Sequence, residues 1–491
     1  MVTLEKLYDD LAASLESLSE NRDALRASRG IVENALAQGE THYGINTGFG
    51  VLARKRIPSE QVKKLQQNLL LSHAVGVGDP VPREITRLML DIKIHSLGLG
   101  YSGVSEETFI RLLDFSRLGL IPQVPSRGSV GASGDLAPLA HMALPLIGKG
   151  FFWKADGSGR EPTEVVLSRN GLEPLELQAK DGLSLINGTQ LMSGYGAWVL
   201  ERSARLVRTA DIAAAMSLEA LQGSVKPFDK RIHEVRPHPG QSEVADHVRM
   251  LLEGSQIMES HRDCSKVQDP YSLRCVPQVH GASRDALHYS TSVVEKEINS
   301  ATDNPLVFSN GDIISGGNFH GQPLALALDF AAIALSELAG ISERRTYLLL
   351  DGTNELPSLL MKDTGINSGF MIPQYTSAAL VSENKVLCHP ASVDSIPTSL
   401  GQEDHQSMGS ISALKLHQVY RNVRNVLAIE LLTASQALDF RKPLRPGHGV
   451  EKAHQAVRAL VPHRDMDDSF IDDMEAIFGL VDSREFLDAV T

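Results

Sequence analysis

Residues Leu191–Leu221 read LMSGYGAWVLERSARLVRTADIAAAMSLEAL and contain no proline. Trp198, Leu200, Leu206, Ile212 and Met216 fall at helical spacing, so this stretch predicts one helix well beyond usual globular length. Pro323–Leu350 and Ser412–Phe440 read the same way. Long helices with apolar faces stabilise one another side by side, and such bundles often continue across subunit interfaces. The predicted fold is therefore mainly α. Strand-like alternation is confined to short candidates near Ile45, at Leu306–Phe308 and at Ile313–Ile314. Two regions are expected: a smaller, loop-rich N-terminal region over 1–195, and a long helical bundle with a C-terminal helical tail over 196–491.

The interruptions fall at recognisable places. Ala155–Thr163 (ADGSGREPT) reads as a polar surface turn or short insertion. Pro227–Glu243 holds three prolines and scattered charges and predicts an irregular connection. Asp351–Phe370 predicts a long irregular loop between two helices, a kind of segment that is often functional. Arg441–Gly449 (RKPLRPGHG) ends the bundle before the tail. No internal repeat or low-complexity tract stands out.

A chain of 491 residues is longer than one compact core usually serves. Its 42% hydrophobic and 22% charged content is that of a soluble globular protein. The net charge of −13 argues against a nucleic-acid partner, since phosphate binding needs a surplus of Lys and Arg on one face. The first residues, MVTLEKLYDD, carry acids where a signal peptide has an apolar run. The most apolar stretch, Pro323–Leu335, is broken by Asp329 and is short for a bilayer. A cytoplasmic protein with no membrane partner is expected. Cys264, Cys275 and Cys388 form no CxxC pair, so buried reduced thiols are expected rather than disulfides or a zinc site.

Chemistry concentrates in Gly128–His141, GSVGASGDLAPLAH. Four small residues, Gly131–Gly134, precede Asp135. On its own this reads as a tight turn, with Asp135 near the positive end of a following helix. The same smallness permits another outcome. In a tightly bent backbone the Gly134 nitrogen can attack the Ala132 carbonyl carbon and close a five-membered ring, because neither residue obstructs the approach. Ser133 can then lose its hydroxyl as water, leaving an exocyclic alkene. Ordinary side chains are nucleophiles, and an electrophile of this kind normally comes from a cofactor.

GSVGASGDLAPLAH resembles the signature of the aromatic amino acid ammonia-lyase and aminomutase family, whose members make a 4-methylidene-imidazol-5-one from Ala-Ser-Gly. Further segments match the family in order: Tyr43–Gly50 (YGINTGFG), Asn187–Gln190 (NGTQ), Gln268–Arg274 (QDPYSLR), Gly316–His320 (GGNFH) and Gln402–His405 (QEDH). They extend from residue 43 to residue 405. The resemblance implies the helical-bundle architecture of lyases of the fumarase and aspartase kind, in a homotetramer whose active sites combine residues from more than one subunit. It also implies an autocatalytic electrophile at Ala132-Ser133-Gly134 and no metal.

Residue by residue, the resemblance makes Tyr43 the base that removes the substrate's β-proton. A phenol normally titrates near ~10, so its surroundings must assist. Arg274 is similar to the arginine that grips the substrate carboxylate, a role suited to a planar fork of donors. Tyr271, Asn187 and Gln268 match polar residues around the electrophile, Tyr271 among the catalytic ones, and Phe319 matches an aromatic residue packed against the ring. Gln402, beside Glu403, belongs to the substrate-binding set.

Two positions bear on the substrate. His73, in LLSHAVG, occupies the family position facing the substrate ring, where phenylalanine-using members tend to be apolar. Glu403 matches an acid that histidine-using members place near the imidazole. Beside a phenyl ring that carboxylate would be desolvated with nothing to pair with. The pair favours L-histidine, deaminated to trans-urocanate and ammonia, over tyrosine, phenylalanine or a 2,3-aminomutase reaction. Gly401, Asp351–Leu356 and Gly321-Gln322 depart from the usual histidine-type pattern at pocket edges and loops.

Other motifs lead elsewhere and fail. Gly98–Gly103 fits GxGxxG, yet Ile85, Leu88, Met89 and Ile92 before it have helical spacing, so it predicts a helix end rather than a dinucleotide turn. Ser133 lacks the GxSxG elbow of hydrolases. His233-Glu234 and His238 are spaced HExxxH, with Pro237 intervening, and do not make a zinc helix. The GSSxMPxKxN-like loop of the fumarase group is absent.

Overall fold

The computed structural model describes residues 1–39, 42–47, 57–262 and 266–490. Gly48–Gly50 of the glycine-rich loop and Cys264 lie outside the described residues. The chain is mainly helical, as expected. The three long segments read from the sequence are the helices Gln190–Ala220, Gln322–Leu350 and Gly409–Asp439, and a fourth long helix spans Val276–Ile298. Two compact units divide the chain, with one boundary inside each of these four helices and a fifth between His389 and Pro390.

Unit 1 comprises Met1–Trp198, Thr291–Asp329 and Pro390–Leu414. Its central helix, Arg83–Gly98, is buried almost throughout from Ile85 to Leu97, including the polar Asp91, Lys93 and His95. The GxGxxG string ends this helix. Gly100 has φ 81°, and a Cβ there would meet the Ala24 backbone at 2.7 Å, so the glycine serves close helix packing. The sheets are two-stranded and antiparallel. Leu306–Val307 pairs with Ile313–Ile314 as the alternation suggested, whereas Ile45 sits in a turn. Ala155–Thr163 is the tip and return of a hairpin, Phe151–Trp153 pairing with Arg160–Pro162.

Unit 2 comprises Val199–Ser290, Phe330–His389 and Lys415–Thr491. Its interior holds a bidentate ion pair, with Arg345 Nε 2.5 Å from Glu430 Oε1 and Nη2 2.8 Å from Oε2, both side chains fully buried. Nearby, Asp211 accepts from His280 Nδ1 at 2.7 Å, His247 Nδ1 at 2.9 Å and Arg284. Burial alone would raise its pKa; Arg284 and the two histidines outweigh that and hold the carboxyl well below the usual range.

Three expectations need correction. Pro227–Glu243 is not simply irregular: it contains a 3-10 turn Lys226–Phe228, the helix Lys230–Glu234 and the start of Pro239–Leu251. Pro239 opens that last helix, where a missing N–H costs nothing. The apolar stretch Pro323–Leu335, read as short for a bilayer, is part of a longer apolar helix. The helix Gln322–Leu350 is long and apolar enough to cross a membrane, and 67% of its apolar window is buried inside the protein, as in a core helix. Cys275 and Cys388 are free thiols but only half-buried.

Candidate active site

The Ala132-Ser133-Gly134 segment is sharply bent. Gly131 and Gly134 have φ 87° and 82°, and Ser133 is held at φ 48°, a region costing a non-glycine residue roughly 1–2 kcal/mol. Gly188 holds the bend from both sides. Its N–H donates to Ser133 O at 3.1 Å, and its carbonyl accepts the Asp135 N–H at 2.7 Å. A Cβ on Gly134 would stand 2.5 Å from the Gly188 carbonyl carbon and 3.1 Å from Phe319 O. From the other direction Met408 N–H donates to Val130 O at 3.1 Å, and Ser410 Oγ to Ser129 O at 2.8 Å.

Asp135 starts the helix Leu136–Ala143 but does not cap it with its side chain, contrary to the local reading. Its Oδ2 instead accepts from Leu191 and Met192 N–H, at 3.0 and 3.1 Å, in the first turn of Gln190–Ala220. The helix it serves is remote in sequence. Complete burial pushes the carboxyl up to about 7 against these donors.

Beneath the bend lies a buried polar network. Lys180 Nζ is 2.6 Å from Asp303 Oδ2, and Asp303 Oδ1 accepts from Asn187 Nδ2 at 3.1 Å. Asn187 Nδ2 also donates to Asn304 O at 2.8 Å. Both partners are acceptors, so the orientation of this amide is determined. Lys93 Nζ donates to the Asn187 carbonyl at 2.5 Å. Burial pushes Lys93 down to about 7, with Asp303 opposing.

Two cavities flank the tripeptide within unit 1. The larger, about 730 Å³, is bounded by Tyr43, His73, Ser133, Asn187 and Glu403, with Leu65, Leu69, Leu183 and Ile186 among its apolar walls. The helix Val62–His73 contributes Leu65, Asn68, Leu69 and Ser72, spaced along one face. The second, about 530 Å³, brings Phe319, Gln402, His320 and His405 to Ala132 and Ser133. Tyr43, Ser133, Asn187 and Glu403 border both.

Local structure explains these positions. Tyr43 stands in a turn anchored by Ile45, which is buried with Val32, Val62, Ala179 and Val307. His73 ends its helix with Nδ1 2.8 Å from Leu69 O; a carbonyl only accepts, so Nδ1 carries the proton. Burial lowers the His73 pKa, with the Glu403 charge opposing. Glu403 Oε2 accepts from Thr398 Oγ1 at 2.7 Å, and its backbone is tied to Thr398 N–H and Gln406 Nε2, both at 2.9 Å. A carboxylate thus stands near an imidazole across the cavity that Ser133 borders.

Gln268, Tyr271 and Arg274 are grouped elsewhere. They belong to unit 2, and none lines either cavity at Ser133. Gln268 and Arg274 line another cleft with Lys226, Cys275 and Gln278. The Arg274 guanidinium stacks 4.5 Å from the centre of the Tyr271 ring, which is 70% exposed, and its Nε donates to Asp269 O at 3.0 Å.

Sequence reasoning missed Lys93, Lys180, Asp303, His320 and His405. A signal existed for the lysines: Lys93 interrupts the apolar run LMLDIKIHSL, and Lys180 stands just before DGLSLING. His320 and His405 close two of the quoted motifs. His320 Nε2 donates to His405 O at 3.1 Å and its Nδ1 accepts the Gln322 N–H at 3.3 Å, so the ring clips the Phe319 loop to the Glu403 loop. Among the described residues no group of three or more His, Cys, Asp or Glu is arranged to hold a metal ion.

A mainly helical fold around a strained small-residue turn and a polar cavity is that of a carbon–nitrogen lyase. The chain belongs to the aromatic amino acid lyase family, whose profile matches residues 2–459. It is 53% identical to a histidine ammonia-lyase of Myxococcus xanthus over 97% of this chain and 94% of that protein. The fold matches the crystal structure of histidine ammonia-lyase from Trypanosoma cruzi with a TM-score of 0.88 at 43% identity, covering 95% of this chain and 88% of that one. It also matches tyrosine aminomutase from Streptomyces globisporus with a TM-score of 0.90 at 35% identity, covering 98% and 96%.

Proposed function

We propose that this chain deaminates L-histidine to trans-urocanate and ammonia, using a 4-methylidene-imidazol-5-one formed from its own Ala132-Ser133-Gly134. The observation that carries the substrate assignment is Glu403, clamped by Thr398 and near His73 in the cavity bordered by Ser133. An imidazole has a ring N–H for that carboxylate, and a phenyl ring would leave it desolvated and unpaired. The names of the histidine ammonia-lyases to which the chain is similar support the same reading.

The tripeptide's surroundings fit such a group. Gly134 lies where no Cβ can be accommodated, and Ser133 is already bent into the left-handed region. Formation joins the Gly134 nitrogen to the Ala132 carbonyl carbon, whose oxygen leaves as water. Ser133 then gives up its Cα proton and its hydroxyl as a second water. Once formed, the group supplies an alkene that takes up the substrate amine and makes it a better leaving group. Tyr43, at the junction of the two cavities, takes the β-proton. Asn187, Phe319, Gln402 and Glu403 position the substrate, whose fixed orientation contributes much of the rate gain.

Arg274 holds the substrate carboxylate in the site of a neighbouring subunit of a homotetramer, with the substrate-binding Gln268 and the catalytic Tyr271 beside it. Support comes from the exposed Tyr271 ring, on which the half-buried Arg274 stacks, and from exposed apolar side chains of unit 2, among them Phe330, Ile333, Tyr347, Ile372 and Tyr375. The enzyme works as a soluble cytoplasmic protein on a small amino acid, without a metal.

Offering L-histidine, L-tyrosine and L-phenylalanine separately and monitoring the conjugated acid tests the substrate. Urocanate is expected from histidine alone. Product from phenylalanine but not histidine sinks the Glu403 assignment, and a β-amino acid without ammonia release identifies an aminomutase.

A further inference from the structure

Lys93 is 2% exposed, and the chemistry above gives it no task. Its Nζ donates a 2.5 Å hydrogen bond to the carbonyl of Asn187. That carbonyl shares a peptide plane with the Gly188 N–H, which donates to Ser133 O at 3.1 Å. An ammonium at one end of this peptide therefore acts on the Ser133 carbonyl at the other. Lys180, the neighbouring buried ammonium, is engaged by Asp303 at 2.6 Å and Ser184 at 3.1 Å. The task at the Asn187 carbonyl falls to Lys93.

The Ser133 carbonyl is where charge develops during maturation. As the Ser133 Cα proton leaves, negative charge moves onto its carbonyl oxygen, before the hydroxyl departs as water and the alkene forms. A preoriented N–H aimed at that oxygen stabilises the charge. Hydrogen bonds in series polarise one another, so an ammonium on the Asn187 carbonyl makes the Gly188 N–H a stronger donor. We propose that Lys93 is a positioning residue for maturation of Ala132-Ser133-Gly134, polarising the Asn187–Gly188 peptide against the Ser133 carbonyl. This rests on the reading that the tripeptide forms the electrophile.

The test follows the intact mass of the full chain during cell-free synthesis, for the wild type, Ser133→Ala, Lys93→Met and Lys93→Arg. The wild type is expected to lose two water molecules; if it never does, the electrophile reading itself fails. Lys93→Met, with wild-type circular dichroism and melting, is expected to mature at least ~10-fold more slowly, a barrier change of about 1.4 kcal/mol. Lys93→Arg, which keeps the charge, is expected to recover most of the rate. A folded Lys93→Met chain that matures as fast as wild type overturns the role of Lys93 and leaves the electrophile intact.

If Lys93→Met gives no soluble chain, the wild-type maturation rate is read from about pH 6 to about pH 9. The groups facing Lys93 are Asp303, Lys180 and Asp135, and Asp135 titrates in the same range, so Asp135→Asn is measured alongside. With Lys93 losing its proton near 7, the rate should fall as pH rises in both chains. Unaided base-promoted dehydration would accelerate instead, and a flat or rising rate overturns the proposal.

Discussion

Replacing Gly134 with alanine tests the bend directly. Gly134 has φ 82°, and an L side chain there costs roughly 1–2 kcal/mol. The added Cβ would lie 2.5 Å from the Gly188 carbonyl carbon and 3.1 Å from Phe319 O. Those are backbone atoms that cannot rotate away. Overpacking of this kind typically costs about 1–3 kcal/mol. Relief requires Gly188 to retreat, lengthening the 2.7 Å bond from Asp135 N–H and the 3.1 Å bond to Ser133 O that hold the bend. The expected loss is about 2–5 kcal/mol in a protein class whose total stability is about 5–15 kcal/mol. The variant should melt well below wild type and retain its full encoded mass, because the ring is not formed. Thermal unfolding and intact-mass spectrometry on the same preparation measure both. A Gly134→Ala chain that sheds two waters and melts with the wild type would refute the claim that Gly188 shapes the bend.

Glu403→Ala removes the charged acceptor at the ring and should lower kcat/KM for histidine roughly 10- to 150-fold, the worth of a hydrogen bond to a charged group; an unchanged value shows that Glu403 does not hold the ring. Co-expressing Ser133→Ala and Arg274→Ala chains should restore activity that neither has alone, and mixed tetramers without activity contradict sharing between subunits. Glu219 is pushed up to about 7 by burial, opposed by hydrogen bonds from Ser255 and the Gly447 N–H. Its folded pKa exceeds its unfolded one, so its contribution is full below about pH 4 and is lost as pH rises through about 7, roughly 3 kcal/mol in all. Glu219→Gln should flatten the melting temperature over that window, and an equally steep profile in the variant would contradict the assignment.

The helical bundle was legible because apolar periodicity is a local property. The segment Leu191–Leu221 differs from the observed helix Gln190–Ala220 by one residue at each end. Irregularity was harder to read. Prolines in Pro227–Glu243 suggested a loop, yet Pro239 begins a helix, because proline is disruptive only beyond the first turn. In the site, the motifs located Tyr43, His73, Ser133, Asn187, Phe319, Gln402 and Glu403 around two adjoining cavities. The same motifs included Gln268, Tyr271 and Arg274, which line neither. A quoted motif carries no information about which cavity the folded chain gives it to line.

By itself the sequence determined which residues are chemically competent: a tripeptide small enough to bend, a phenol, an arginine and an acid suited to imidazole. Those properties belong to side chains and to short backbone stretches. Tertiary structure decided what holds them. Asp135 caps a helix more than fifty residues away, Gly188 braces the peptides on both sides of Gly134, and Lys93 grips the Asn187–Gly188 peptide whose N–H makes one of those bonds. These contacts join residues far apart in sequence, where burial obliges each polar group to find a partner. No local pattern records that partner.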